Sequence, residues 1–105
     1  MKTKPLTFLL ALTFLFLFSG SSVVFADDYQ DAKDAYERKD YKTAYRFFRL
    51  SAEQGLAQAQ YNLGQMYYDG QGVPQDYKEA VKWYRLSAEQ GYIAAQYNLG
   101  TMYSK

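Results

Sequence analysis

The segment DYKTAYRFFRLSAEQG, Asp40 to Gly55, returns as DYKEAVKWYRLSAEQG, Asp76 to Gly91, and AQYNLGQMY, Ala59 to Tyr67, returns as AQYNLGTMY, Ala95 to Tyr103. Both recurrences are offset by 36 residues, and 19 of the 28 positions from Asp40 to Tyr67 are identical in the second copy. A fixed period of this length means one supersecondary unit stacked on copies of itself, because each unit alone is too small to bury its apolar face. Such a stack presents a long curved surface rather than an enclosed catalytic pocket.

Within the unit, apolar residues recur at helical spacing. Ala59, Leu63, Met66 and Tyr67 share one face, and Ala95, Leu99, Met102 and Tyr103 repeat it. A second stripe runs through Tyr77, Ala80, Val81, Tyr84 and Ala88, matched by Tyr41, Ala44, Tyr45, Phe48 and Ala52. Asp76 with Glu79 reads as a reciprocal capping pair at a helix start, Asp40 occupies the equivalent start, and Gly55 and Gly91 read as left-handed C-terminal caps. Gly64 and Gly100 interrupt the first helices at a cost of about 1 kcal/mol each relative to alanine. That cost points to close helix approach, with Trp83 and Tyr84 as candidates to fill the space. The fold class expected is all-α, a solenoid of antiparallel helix pairs with about two hairpins and one terminal helix.

Residues 1–26 have the layout of a signal peptide: Lys2 and Lys4, an uncharged stretch from Leu6 to Phe18, a Ser-Gly-Ser-Ser break, and small residues at Val24 and Ala26. Thirteen residues of helix reach roughly 20 Å, short of the ~30 Å apolar core of a bilayer. The expectation is cleavage after Ala26 and a periplasmic or secreted product, with membrane association only if the segment is left uncleaved.

Without Lys2 and Lys4 the chain has 10 basic and 11 acidic residues, a balance that argues against nucleic acid as a partner. It contains no cysteine and no histidine, so soft-metal ligation, disulfides, a thiol nucleophile and the commonest general base are all missing. Ser51 and Ser87 recur together with Glu53 and Glu89, but recurrence in both copies fits a small packing residue better than a nucleophile. Asp69 and Asp76 flank the loop Gly70-Gln71-Gly72-Val73-Pro74 at a spacing that matches neither an EF-hand nor a phosphate loop. No catalytic residue, metal site or cofactor is expected.

The run from Ala59 to Gly91 resembles the Sel1-like repeat, a relative of the tetratricopeptide repeat. The likeness rests on Ala59, Leu63-Gly64, Tyr67, the Gly70-x-Gly72 loop, Asp76, Ala80, Trp83-Tyr84, Ala88 and Gly91. From Gly64 to Ala80 there are 16 positions, but from Ala32 to Ala44, which look equivalent, only 12, the spacing of an ordinary tetratricopeptide hairpin. The chain therefore divides into a leader (1–26), a tetratricopeptide-like opening hairpin (27–55), a full Sel1-like repeat (56–91) and a partial one (92–105).

The resemblance implies an exported scaffold that binds a protein or peptide on its concave face. Carried over by position from the tetratricopeptide pattern, the inner-face residues would be Tyr61, Gln65 and Tyr68, then Tyr97 and Thr101, with Asn62 and Asn98 beside them. All 12 tyrosines lie beyond Ala26, a composition suited to interfaces. Cysteine-rich Sel1-like proteins suggest a second reading, a β-lactam-related hydrolase, which the lack of cysteine weakens. A third reading is the inactive front end of a longer array. The stripe Ala95, Leu99, Met102, Tyr103 is expected to lack its covering helix, so that the chain self-associates through residues 92–105 or frays there.

Overall fold

The computed structural model describes residues 27–104, and every regular element among them is a helix. Residues 1–26, expected from the sequence to be a signal peptide, and Lys105 lie outside the described residues. No described helix is long and apolar enough to cross a membrane. In chain order the helices are α1 (27–37), α2 (Tyr41–Glu53), α3 (Ala57–Asp69), α4 (Tyr77–Glu89) and α5 (Ile93–Tyr103). Each packs against its neighbour in sequence, α2 on α3, α3 on α4 and α4 on α5. This is an all-α solenoid of helical hairpins.

The connections are fixed by backbone chemistry. After α2, Gly55 at φ 103° donates to the Ala52 carbonyl and Leu56 N–H to that of Ser51; after α4, Gly91 at φ 93° and Tyr92 repeat the pattern on Ala88 and Ser87. These are Schellman caps, which need the left-handed residue that glycine supplies most cheaply. After α1 the same geometry is met by Lys39 at φ 64°, donating to Tyr36, while Asp40 N–H donates to Ala35. Asp40 then turns its carboxylate to Thr43 of α2, whose side-chain hydroxyl and backbone N–H together hold that carboxyl below its ordinary pKa. The Asp76 carboxylate accepts from Glu79 N–H at 3.2 Å, but the reciprocal bond expected from Glu79 is replaced: Asp76 N–H donates to the Tyr67 carbonyl at 2.8 Å. The cap thereby ties the start of α4 to the end of α3.

The connection between α3 and α4 turns on Gly70 and Gly72, both left-handed, and leans back on the preceding hairpin. A Cβ on Gly72 would lie 2.4 Å from the Tyr41 carbonyl oxygen, so only glycine fits there. Beside it, Tyr36 O–H donates to the Gln71 side chain at 2.9 Å.

The core is a line of small residues facing aromatic ones: Ala32, Ala35, Ala44 and Ala52 around Phe48, then Ala59, Leu63, Met66 and Ala80 around Tyr67, Trp83 and Tyr84. Gly64 is where α4 comes nearest. A Cβ there would sit 2.7 Å from Tyr84 Cδ1, so Tyr84 and not Trp83 occupies the space that the glycine leaves. Tyr77, assigned to the buried stripe from spacing, is 54% exposed and packs on Tyr68 at 5.2 Å between ring centroids.

The last helix corrects another expectation. Ala95 is fully buried, and Leu99 and Met102 pack on the core, because α4 covers this face. The expected open stripe is therefore mostly closed, and only Tyr103 of its four members is exposed, at 60%. The open side of α5 carries Ile93, Tyr97 and Gly100 instead, with nothing within 4 Å of a Cβ placed on Gly100.

Candidate functional site

The first helices of the successive units, α1, α3 and α5, line a trough of two adjoining hollows. Its first hollow, about 270 Å³, lies between α1 and α3 and is walled by Tyr29, Lys33, Tyr36 and Glu37 on one side, Tyr61, Asn62 and Gln65 on the other, with Phe48 beneath. A second hollow of about 270 Å³ follows between α3 and α5. Tyr61, Gln65, Tyr68 and Asp69 form one wall, Tyr97, Asn98, Thr101 and Met102 the other, and Tyr84 reaches it from α4. Tyr61 and Gln65 border both hollows, so the two adjoin across α3.

All seven residues singled out from the sequence lie along this trough. Tyr61, Gln65, Tyr68, Tyr97, Asn98 and Thr101 come together around the second hollow, and Asn62 faces the first. The sequence reading missed Tyr29, Lys33, Tyr36 and Glu37 of α1. The signal was present at a different offset: Tyr29 and Tyr36 precede Tyr61 and Tyr68 by 32 residues, because the opening hairpin lacks the glycine-rich extension. Tyr29, Tyr61 and Tyr97 are thus successive rungs of one ladder, and Tyr36 and Tyr68 belong to another.

Side-chain amides also border the hollows. Gln65 Oε1 accepts from Tyr84 O–H and from Asn98 Nδ2 at 3.2 Å, and its NH2 has no partner among the described residues. Asn62 Nδ2 donates to Tyr29 O–H at 3.2 Å, joining α3 to α1. Thr101 O–H turns back onto the Tyr97 carbonyl at 2.9 Å. Burial pushes the Tyr84 phenol above its ordinary pKa, and nearby Asp69 acts in the same direction, so its hydroxyl stays protonated at neutral pH. Rings cluster with these amides: Tyr61 stands 5.8 Å from Tyr84 and 5.3 Å from Tyr92, while Lys33 Nζ lies 4.9 Å over the Tyr29 ring. The arrangement offers flat aromatic area and polar atoms, and it holds no nucleophile beside a base.

Other polar residues that recur in the sequence serve the scaffold. Gln60 Nε2 donates to the Ala52 carbonyl at 3.2 Å, and Gln96 repeats the bond on Ala88 at 3.1 Å. Ser87 O–H donates to the Ala57 carbonyl at 2.8 Å, whereas the equally buried Ser51 hydroxyl finds no partner among the described residues. The second helices carry the outward cations. Arg49 bonds to Glu53 and Tyr45, Tyr45 to Tyr67, and Lys82 approaches Glu79.

The chain matches the Sel1 repeat over residues 29–56, 57–92 and 93–105. The comparison with curated proteins returns no match. Among solved structures, the crystal structure of a Sel1 repeat protein from Oxalobacter formigenes aligns with a TM-score of 0.58 at 43% identity, covering 58% of this chain and 25% of that one. This chain accordingly spans about a quarter of that relative's length. With the repeat matched from residue 29 onward and the hairpins stacked as described, the chain belongs to the Sel1 repeat family.

Proposed function

We propose that the protein is an exported scaffold that holds an extended segment of another protein along the α1–α3–α5 trough. One observation carries the reading: the rungs Tyr29, Tyr61 and Tyr97, with Tyr36 and Tyr68, border two adjoining hollows that also present the amides of Asn62, Gln65 and Asn98. Tyrosine gives large contact area with a polar tip and few rotamers to freeze, which is why it is enriched where partners bind. Fixed amides suit a polypeptide backbone, which offers a donor and an acceptor at nearly every residue. Export is supported by Lys2, Lys4, the apolar run Leu6 to Phe18 and the small residues before Asp27.

The test is capture of partners from an envelope extract by the purified protein and by a Tyr61→Ala, Tyr68→Ala, Tyr97→Ala variant. One interface aromatic commonly contributes ~2 kcal/mol, so the triple variant should lose its partner while its helical circular dichroism persists. Lys78→Ala with Lys82→Ala, on the outward face, should leave capture intact. Loss with the lysine variant and retention with the tyrosine variant would place binding on the convex side and overturn the reading. N-terminal sequencing from cells tests export, with Asp27 the expected first residue.

A further inference from the structure

We infer that the hollow between α3 and α5 receives a cationic side chain of the bound polypeptide, a guanidinium above all; this rests on the peptide-binding reading and specifies what the segment carries. The chain contains its own precedent. On the first rung Lys33 places its ammonium 4.9 Å over the Tyr29 ring. At the equivalent places on the next two rungs the lysine is replaced by Gln65, near Tyr61, and by Thr101, near Tyr97. The tyrosine persists while the cation is gone.

The charges around the two hollows differ in the same sense. The first is bordered by Lys33 and Glu37, which offset each other. Among the described residues the second is bordered by Asp69 and by no basic residue. Its internal hydrogen bonds converge on the Gln65 carbonyl oxygen. Tyr84 O–H and Asn98 Nδ2 both donate to Gln65, and Thr101 O–H donates to Tyr97. Among the described residues the Oδ1 of Asn98 and the lone pairs of Thr101 remain open, alongside the Gln65 NH2. A wall of tyrosine rings, an unpaired carboxylate and spare acceptors is complementary to a group with many donors and a positive charge. Guanidinium fits better than ammonium, because it is planar, stacks on aromatic rings and carries five N–H donors.

The experiment is an NMR titration of the protein purified from cells with the peptide acetyl-Gly-Gly-Arg-Gly-Gly-amide and its citrulline counterpart, which keeps the shape and removes the charge. The arginine peptide should shift the resonances of Tyr97, Asn98 and Thr101, and citrulline should bind more weakly by on the order of fivefold. Asp69→Asn should weaken the arginine peptide severalfold and leave citrulline unchanged. That variant also folds safely, since Asp69 is exposed and ends α3, where a negative charge opposes the helix dipole. Equal binding of the two peptides, shifts elsewhere, or no shift at millimolar peptide would overturn the inference. Capture of the natural partner separates the two claims. If Asp69→Asn keeps the partner and the triple tyrosine variant loses it, the peptide reading stands and the cationic inference falls; retention by the tyrosine variant removes both.

Discussion

Gly64 and Gly100 occupy the same place in two nearly identical helices, and the structure assigns opposite signs to the same substitution. In Gly64→Ala the new methyl would stand 2.7 and 2.8 Å from Tyr84 Cδ1 and Cε1 and 3.3 Å from the Ala80 carbonyl oxygen. Carbon atoms rest at about 3.5–4.0 Å, so the ring must withdraw by about 1 Å. It has little room, being 1% exposed, hydrogen-bonded to Gln65 and backed by Tyr61. Overpacking of this kind costs ~1–3 kcal/mol, against ~1 kcal/mol gained from the better helix former, for a net loss of about 1 kcal/mol. In Gly100→Ala nothing lies within 4 Å, and only the gain remains. Thermal unfolding followed by circular dichroism should show Tm falling by about 4–8 °C for the first variant and rising for the second. In a Tyr84→Leu background the penalty at Gly64 should largely vanish. A rise in Tm for both glycine variants would refute the argument, since it would mean that α4 adjusts freely and that propensity alone decides.

Three further outcomes follow from the same contacts. Ser87→Ala should cost about 1 kcal/mol in urea denaturation, because it removes the bond that ties α4 to the Ala57 carbonyl, whereas Ser51→Ala should be close to neutral. Gly72→Ala should be far more damaging than Gly64→Ala, since its methyl would meet the Tyr41 backbone at a left-handed φ of 76°, and hydrogen exchange should accelerate at the start of α2 as well as in the loop. Burial raises the folded-state pKa of Tyr84 and Tyr67, so both stabilise fully below the unfolded tyrosine value near 10 and lose that contribution as pH rises above it. Denaturation midpoints should therefore decline above about pH 10, and less steeply in Tyr67→Phe.

The helices and their order were legible because period and punctuation agree: a repeat of 36 residues, Asp40 and Asp76 at helix starts, Gly55 and Gly91 at helix ends. The trough residues of α3 and α5 were legible by position within the unit. Those of α1 were not, since Tyr29 and Tyr36 lie at an offset of 32, outside the main period. Periodicity also names an apolar face without saying which neighbour covers it, so Ala95, Leu99 and Met102 were assigned to the missing helix when α4 already packs on them. Tyr77 shows a similar limit: its spacing fits the buried stripe, yet its position at the first turn of α4 leaves it against Tyr68 at the edge. The docking of Gly72 on Tyr41 left no sequence signal beyond the glycine itself, because a carbonyl partner can belong to any residue.

That backward-leaning loop gives the array a direction. Gln71 and Gly72 meet Tyr36 and Tyr41, contacts that span 35 and 31 positions and point only toward the amino terminus. Removing α5 would leave the loop's seat untouched. Removing the opening hairpin would strip it, leaving Gln71 without its hydroxyl donor and the turn without support. Shortening this protein from its two ends is therefore not an equivalent operation: successive truncations from the carboxyl side should be absorbed one helix at a time, while an equal cut from the amino side should disturb the unit beyond it.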